Sequence, residues 1–288
     1  MPEASTTSTN PEPPTLHKRL LRRFRRMAIA GVIVYVIYAA ALFMMQDKLI
    51  YPRFMLRDER SAPLAPGVTK LERPLGDGAV HAWLLMPTHE RESPAPLVVF
   101  FHGNAESAGS NIGFMRHYRD AGFAVLLPEY RGYAGASGMS MEPGIVEDAA
   151  WFIDEARRDP RVDTSRLILH GRSLGGGVAA QLANRHAPDA LILQSSFTSI
   201  ASFARGKLVP EFLVRSPYRT DRVLATLDCP VLILHGTEDT IIPVSHAREN
   251  ARIAKHATLV EMPGDHNDFP RDEAAFWRAI DEFLARRK

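Results

Sequence analysis

Residues 166–177 read RLILHGRSLGGG and leave the chain few ways to fold. Leu167, Ile168, Leu169 and His170 have the composition of a short buried strand. Gly171, Ser173 and Gly175 follow in a G-x-S-x-G pattern, and the alanine-rich stretch GVAAQLANRH predicts a helix reaching His186. A strand that becomes a helix within so few residues crowds its own backbone at the corner. Glycines on either side of Ser173 remove the Cβ atoms that would collide there. The serine hydroxyl is then exposed above a sheet, and the first N–H groups of the helix lie where negative charge would develop.

Other segments repeat the strand-helix alternation. Leu97–Phe101 (LVVFF), Phe123–Leu127 (FAVLL), Ala190–Leu193 (ALIL), Val231–His235 (VLILH) and Thr258–Met262 predict strands. Apolar on both faces, they suit a parallel sheet covered by helices. Lys70–Arg73 and Val80–Met86 predict a hairpin around Gly76-Asp77-Gly78. Helices are expected over 110–121, 145–159, 244–254 and 270–287, the last with Pro270 in its first turn and Phe276, Ile280 and Leu284 on one face. The 36 residues from Ser195 to Pro230 are the one sizeable insertion, too short for a lid domain. The expected class is α/β, a mostly parallel sheet of about eight strands flanked by helices, with a short lid or none.

Ahead of this body, residues 27–45 carry no charge, and at 1.5 Å per residue they extend about 28 Å, enough for one membrane crossing. Residues 1–26 hold six Lys or Arg against Glu3 and Glu12, so the basic character of the chain lies in its tail and the body is slightly acidic. That distribution gives no reason to expect nucleic-acid binding. It keeps the tail cytoplasmic and exports everything after Gln46. The expected organisation is a disordered basic cytoplasmic tail (1–26), a transmembrane anchor (27–45), a linker (46–68) and a catalytic domain (69–288). Ala39-Ala40-Ala41 also offers a signal-peptidase site, and cleavage there would give a secreted body. We read an uncleaved anchor, because the apolar run continues through Leu42, Phe43, Met44 and Met45. Cys229 stands alone, which excludes an internal disulfide, and its place before a strand marks it as core.

Ligands and catalysts in such sheets gather at the carboxyl ends of the strands. Asp239 follows the Val231 strand in HGTEDTIIP, beside Glu238, and His266 follows the last strand in PGDHNDF, between Asp265 and Asp268. The order Ser173, Asp239, His266 is nucleophile, acid, base. His266 would take the proton from Ser173 and return it to the leaving group; Asp239 would hold the imidazole and stabilise its charged form. For the oxyanion, the backbone N–H groups of Leu174 and Asn104 are the candidate donors, with Ala105 as an alternative to Asn104. His102 is read as structural, bonding loops beneath the site, and Arg131 as pinning neighbouring loops. Ala105, Tyr133, Phe197, Phe203 and Phe212 are candidate substrate-pocket residues. No cofactor or metal is implied: a lone His and Asp on one loop do not make a metal site.

FHGNAES (101–107), EYRGYAGASG (129–138), LHGRSLGGGVA (169–179), SSFTSI (195–200), CPVLILHGTEDTIIP (229–243) and GDHND (264–268) together resemble the α/β-hydrolase superfamily. More narrowly they resemble its bud-emergence-homologue group, to which QDKLIYPR (46–53) is also similar. The resemblance implies the α/β-hydrolase fold with an N-terminal anchor, and assigns the triad to Ser173, Asp239 and His266 with the Asn104 and Leu174 amides. The chain departs from the group's YRGYG-x-S-x-G pattern at Ala134 and Ala136. Some animal relatives deacylate protein cysteines in the cytoplasm, which an exported body would not meet.

The expected activity is a serine hydrolase cutting carboxylic esters, or thioesters, of small-molecule or lipid-like acyl substrates. An amidase, peptidase or acyltransferase would use the same residues, and a non-catalytic membrane-tethered interaction module would need none of them. Haloalkane- and epoxide-type hydrolysis needs a carboxylate where Ser173 stands. The sequence carries no signal for oligomeric state.

Overall fold

The computed structural model describes residues 16–56, 67–89 and 92–286. The expectation of disorder over residues 1–15, and most of the proposed linker, lie outside the described residues. The chain divides into two units, residues 1–45 and 46–288.

Helix α1 (Leu16–Ile50) is long and apolar enough to cross a membrane by length and composition. It begins within the segment expected to be a disordered tail and ends beyond the expected boundary at Met45. Leu and Arg are good helix formers, so neither the basic flank nor the residues after Met45 interrupt the pattern. The expected linker is also partly structured, because Arg53–Met55 form a turn of 3₁₀-helix and Tyr51 is buried.

The second unit is an eight-stranded sheet in the order β1-β2-β4-β3-β5-β6-β7-β8. β1 (Val68–Leu75) and β2 (Gly78–Leu85) form the hairpin, and β2 also pairs antiparallel with β4 (Ala124–Pro128). β3 (Ala95–Phe101), β4, β5 (Val162–Arg172), β6 (Ala190–Gln194), β7 (Val231–Gly236) and β8 (Ala257–Met262) run parallel. Alternate side chains feed two cores. Leu97, Val99 and Phe101 enter the core that also holds residues of α3 (Glu142–Ala156), α4 (Leu174–Ala183), α6 (Thr220–Thr226) and α7 (Ser245–Ile253). Val98 and Phe100 enter the opposite core, with residues of α2 (Arg116–Asp120) and α8 (Glu273–Ala285). The insertion folds into α5 (Ile200–Gly206), a 3₁₀ turn at Glu211–Leu213, and α6.

Two local expectations change. The helix expected over 110–121 is broken into a 3₁₀ turn at Gly109–Asn111 and the short α2. Pro270 does not open the last helix. The Asp272 side chain caps α8 by accepting the Ala275 N–H at 2.9 Å, so Pro270 lies in the preceding loop, and Trp277 and Phe283 join Phe276 and Ile280 in the buried face.

His170, at the sheet centre, is fully buried between Phe100 and Tyr118, whose hydroxyl donates to its Nδ1 at 3.1 Å. Burial pushes its pKa down to about 3. Unfolded histidine titrates near ~6.5, so its contribution to stability is present above that pH and is lost as pH falls toward 3. Between pH 6.5 and 4.5 the wild-type chain should lose about 2 kcal/mol more stability than His170→Gln, measured as the difference in urea unfolding free energies.

Candidate active site

β5 and α4 meet at Ser173, which takes φ 52 and ψ −116. A Cβ on Gly171 would strike the Gly175 carbonyl, and one on Gly175 would strike the Phe101 and His102 carbonyls. The G-x-S-x-G pattern is therefore a clearance requirement between the turn, the helix start and the end of β3. Ser173 N–H donates to the Gln194 carbonyl at 2.8 Å, which ties the turn to β6.

The structure brings Ser173, His266 and Asp239 together. Ser173 Oγ lies 2.9 Å from His266 Nε2, and His266 Nδ1 lies 2.7 Å from Asp239 Oδ2. All three residues are buried. Asp239 Oδ1 accepts the N–H groups of Ile241 at 3.0 Å and Ile242 at 2.7 Å. Its Oδ2 also lies 3.3 Å from His235 Nε2. Burial alone would raise the Asp239 pKa, but the hydrogen bonds from His235, His266 and Ile242 outweigh it and hold the carboxyl well below the usual range. The neighbouring Glu238 faces outward to Arg271 at 3.1 Å, which removes it as the acid. The acid and histidine loops are laced together, since Thr237 N–H donates to Met262 and Glu238 N–H to Gly264. Asp265 and Asp268 are taken up in turns, accepting the N–H groups of Asn267 at 2.8 Å and Asp265 at 2.6 Å.

The loop after β3 lies beside the serine, because a Cβ on Gly103 would come within 3.5 Å of Ser173 Cβ. Among the described residues, no turn, loop or cap hydrogen bond takes up the N–H of Asn104 or Leu174. The Gly103 N–H donates to Glu106 at 3.3 Å. Glu106 in turn pairs with Arg172 at 3.0 Å and accepts from Asn111 at 3.2 Å.

Beneath this loop lies a buried pair that the sequence reading did not reach. His102 Nε2 meets Glu129 Oε1 at 2.9 Å, and its Nδ1 meets the Gly103 carbonyl at 2.7 Å. Both ring nitrogens face acceptors, which suits the doubly protonated ring. Burial alone would lower the His102 pKa, but Glu129 and the Gly103 carbonyl reverse the effect and raise it. Glu129 Oε2 also accepts the Ala108 N–H at 2.9 Å, and Tyr130 OH donates to the His102 carbonyl at 2.7 Å. The expected structural role of His102 is seen here as a clamp between the ends of β3 and β4. The acid directly after a buried strand, in LLPEY, was the available signal for Glu129. Arg131 bonds Asp148 at 2.6 Å and 2.9 Å, pinning its loop to α3.

The candidate pocket residues scatter. Tyr133 is fully buried against Tyr130 and His102, and Phe197 is buried under α4 beside Gly177. Both are core residues instead of pocket walls: Gly177 lets the Phe197 ring pack up to α4, and Tyr133 fills the core against the His102 and Tyr130 rings. Phe203 is half-buried on His246, and Phe212 stands in solvent. Only Ala105, at φ 54 in the loop beside the serine, keeps a position bordering the site. Among the described residues no group of three or more His, Cys, Asp or Glu side chains is arranged to hold a metal ion.

Glu129→Gln should destabilise the fold by about 3 kcal/mol at pH 6, by leaving a buried imidazolium uncompensated. The His102 pKa is raised in the fold, so the stability it contributes is full below ~6.5 and is lost as pH rises through the raised value. The penalty of Glu129→Gln should therefore shrink with rising pH, measured by urea unfolding at pH 6 and pH 9.

The family described as Serine aminopeptidase, S33 (Hydrolase_4) matches residues 92–224. The α/β hydrolase domain-containing protein WAV2 of Arabidopsis thaliana is 30% identical over 294 residues, covering 91% of this chain and 92% of that protein. The membrane protein YNL320W of Saccharomyces cerevisiae is 27% identical over 288 residues, covering 92% and 98%. Among solved structures, Est1E from Butyrivibrio proteoclasticus, with ferulic acid bound, superposes with a TM-score of 0.66 at 20% identity, covering 75% of this chain and 98% of that one. With this sheet order, this serine turn and relatives of such coverage, the chain belongs to the α/β-hydrolase family.

Proposed function

We propose that this chain is a membrane-anchored serine esterase that cleaves carboxylic ester bonds through an acyl-enzyme on Ser173. The observation that carries this reading is the unbroken hydrogen-bond line from Ser173 Oγ through His266 to Asp239, at 2.9 Å and 2.7 Å. Ser173 Oγ attacks the ester carbonyl carbon as its proton passes to His266 Nε2. The tetrahedral oxyanion is held by the N–H groups of Leu174 and Asn104. Collapse breaks the bond to the alcohol oxygen, which leaves with the proton from His266. Water then attacks the acyl carbon as it gives a proton to His266; collapse breaks the bond to Ser173 Oγ, which takes that proton back as the acid leaves. Asp239 keeps Nδ1 protonated, so that Nε2 is always the basic nitrogen.

The family description names an aminopeptidase, and such an enzyme needs an anion to grip a free ammonium group. The carboxylate on the oxyanion loop, Glu106, is already occupied by Arg172, Asn111 and the Gly103 N–H, which favours ester over aminopeptidase chemistry. The basic residues before the apolar stretch of α1 would stay in the cytoplasm and put the catalytic body outside it, facing lipid-like or amphiphilic acyl substrates.

The test is hydrolysis of p-nitrophenyl esters from two to sixteen carbons by the purified full chain in detergent. Turnover should peak at one chain length and vanish in Ser173→Ala. Asp239→Ala should lower kcat by about 10³- to 10⁴-fold while its far-UV circular dichroism matches wild type. Absence of turnover across the ladder by the folded protein, or near-normal turnover in either variant, would overturn this reading.

A further inference from the structure

Among the described residues outside α1, five large apolar side chains are more than half exposed: Phe54, Met139, Leu208, Phe212 and Ile241. The three most exposed are Phe212 at 85%, Phe54 at 78% and Leu208 at 77%. These three lie on residues 51–56 and on the insertion, two segments whose bonds run back to the end of the apolar stretch. Gln46, the first residue after the apolar stretch, uses its side chain as a clamp on the insertion. Its Nε2 donates to the Leu213 carbonyl at 3.1 Å and its Oε1 accepts the Arg215 N–H at 2.8 Å. Arg215 reaches back to Asp47 at 2.8 Å. A few residues later, Tyr51, only 2% exposed, shares a buried hydrogen bond of 2.9 Å with Tyr218. The Tyr218 N–H is itself held by Glu142 at 2.7 Å.

We propose that Leu208, Phe212 and Phe54 form a face that inserts into the surface of the bilayer spanned by α1. Phe212 is one residue from the carbonyl that Gln46 grips, and Gln46 is the residue at which the apolar stretch ends. A segment clamped there lies at headgroup level whenever α1 spans the membrane, and aromatic and branched side chains are favoured at that depth. Leu208 closes α5: at φ 56 its N–H donates to the Arg205 carbonyl and the Val209 N–H to the Ala204 carbonyl, both at 2.9 Å, a helix-ending turn that leaves its side chain exposed. This inference rests on α1 as a membrane span. It is independent of the ester chemistry on Ser173.

The experiment places a bimane label on a cysteine at position 212, 208 or, as a control, 241, each in the full chain carrying Cys229→Ala. The proteins are reconstituted into phosphatidylcholine/phosphatidylglycerol vesicles at a 3:1 ratio, with and without lipids doxyl-labelled near the headgroup. Flotation with the vesicles reports the anchor, and quenching reports the face. The expected result is flotation of every variant, doxyl quenching of at least twofold at 212 and 208, and none at 241. Equal access of 212 and 208 to aqueous iodide in vesicles and detergent, without doxyl quenching, would overturn the proposal. Protection from iodide without doxyl quenching would assign the face to a second copy of the chain and overturn it equally. Failure to float would overturn the span itself, and the docking with it.

Discussion

Ser173 holds a backbone conformation that side-chain-bearing residues rarely adopt, at a point where neighbouring backbone leaves no room. That single crowded turn sets most of the site. It ends β5 and starts α4, so the Leu174 N–H is unspent at the place where the serine hydroxyl stands. It also requires β3 to pass close by, because the missing Cβ of Gly175 is the space filled by the Phe101 and His102 carbonyls. The loop that follows β3 is thereby delivered to the serine, and with it the Asn104 N–H. The proposed nucleophile and both candidate oxyanion donors thus follow from one packing constraint at the centre of the sheet.

The remaining parts are held from below by buried polar bonds. His102 and Glu129 form a pair at zero exposure, with the Ala108 and Tyr130 N–H groups also on Glu129. Such a pair gains little net stability over apolar packing of the same volume, since both groups lose their water. Its contribution is registry: it makes one arrangement of the β3 and β4 loops far better than any slipped alternative. Asp239 follows the same logic. Two backbone N–H groups fix one carboxylate oxygen, leaving the other aimed at His266, so the direction of the acid does not depend on a flexible side chain.

The sheet was legible because period-two burial and unbroken apolar runs mark parallel strands locally. All the strands predicted for the body are present, and the serine, acid and histidine lie at strand ends in the expected order. What escaped was what depends on distant contact. Phe197 and Tyr133 read as pocket walls because they flank catalytic motifs, but Gly177 lets Phe197 pack into the core against α4, and Tyr133 packs into it against Tyr130 and His102. Glu129 was not singled out because its partner, His102, lies 27 positions earlier. Pro270 suited a helix start by residue type, but Asp272 supplies the cap that decides where α8 begins. Ala134, a departure from the group's glycine, still holds φ 38, so the loop keeps the glycine-type conformation at a cost in strain.

The segment after the apolar stretch changes how the anchor works. A free linker would let the body sample many distances and orientations, and any surface contact would have to overcome that freedom. Here the second unit begins at Gln46, immediately after the first ends at Met45, and Gln46, Asp47 and Tyr51 are already bonded to the insertion. No unbonded run of chain separates the apolar stretch from the segment carrying Phe212. Within the second unit these bonds order the segment on folding, so a later surface contact made by it would carry little further entropic cost.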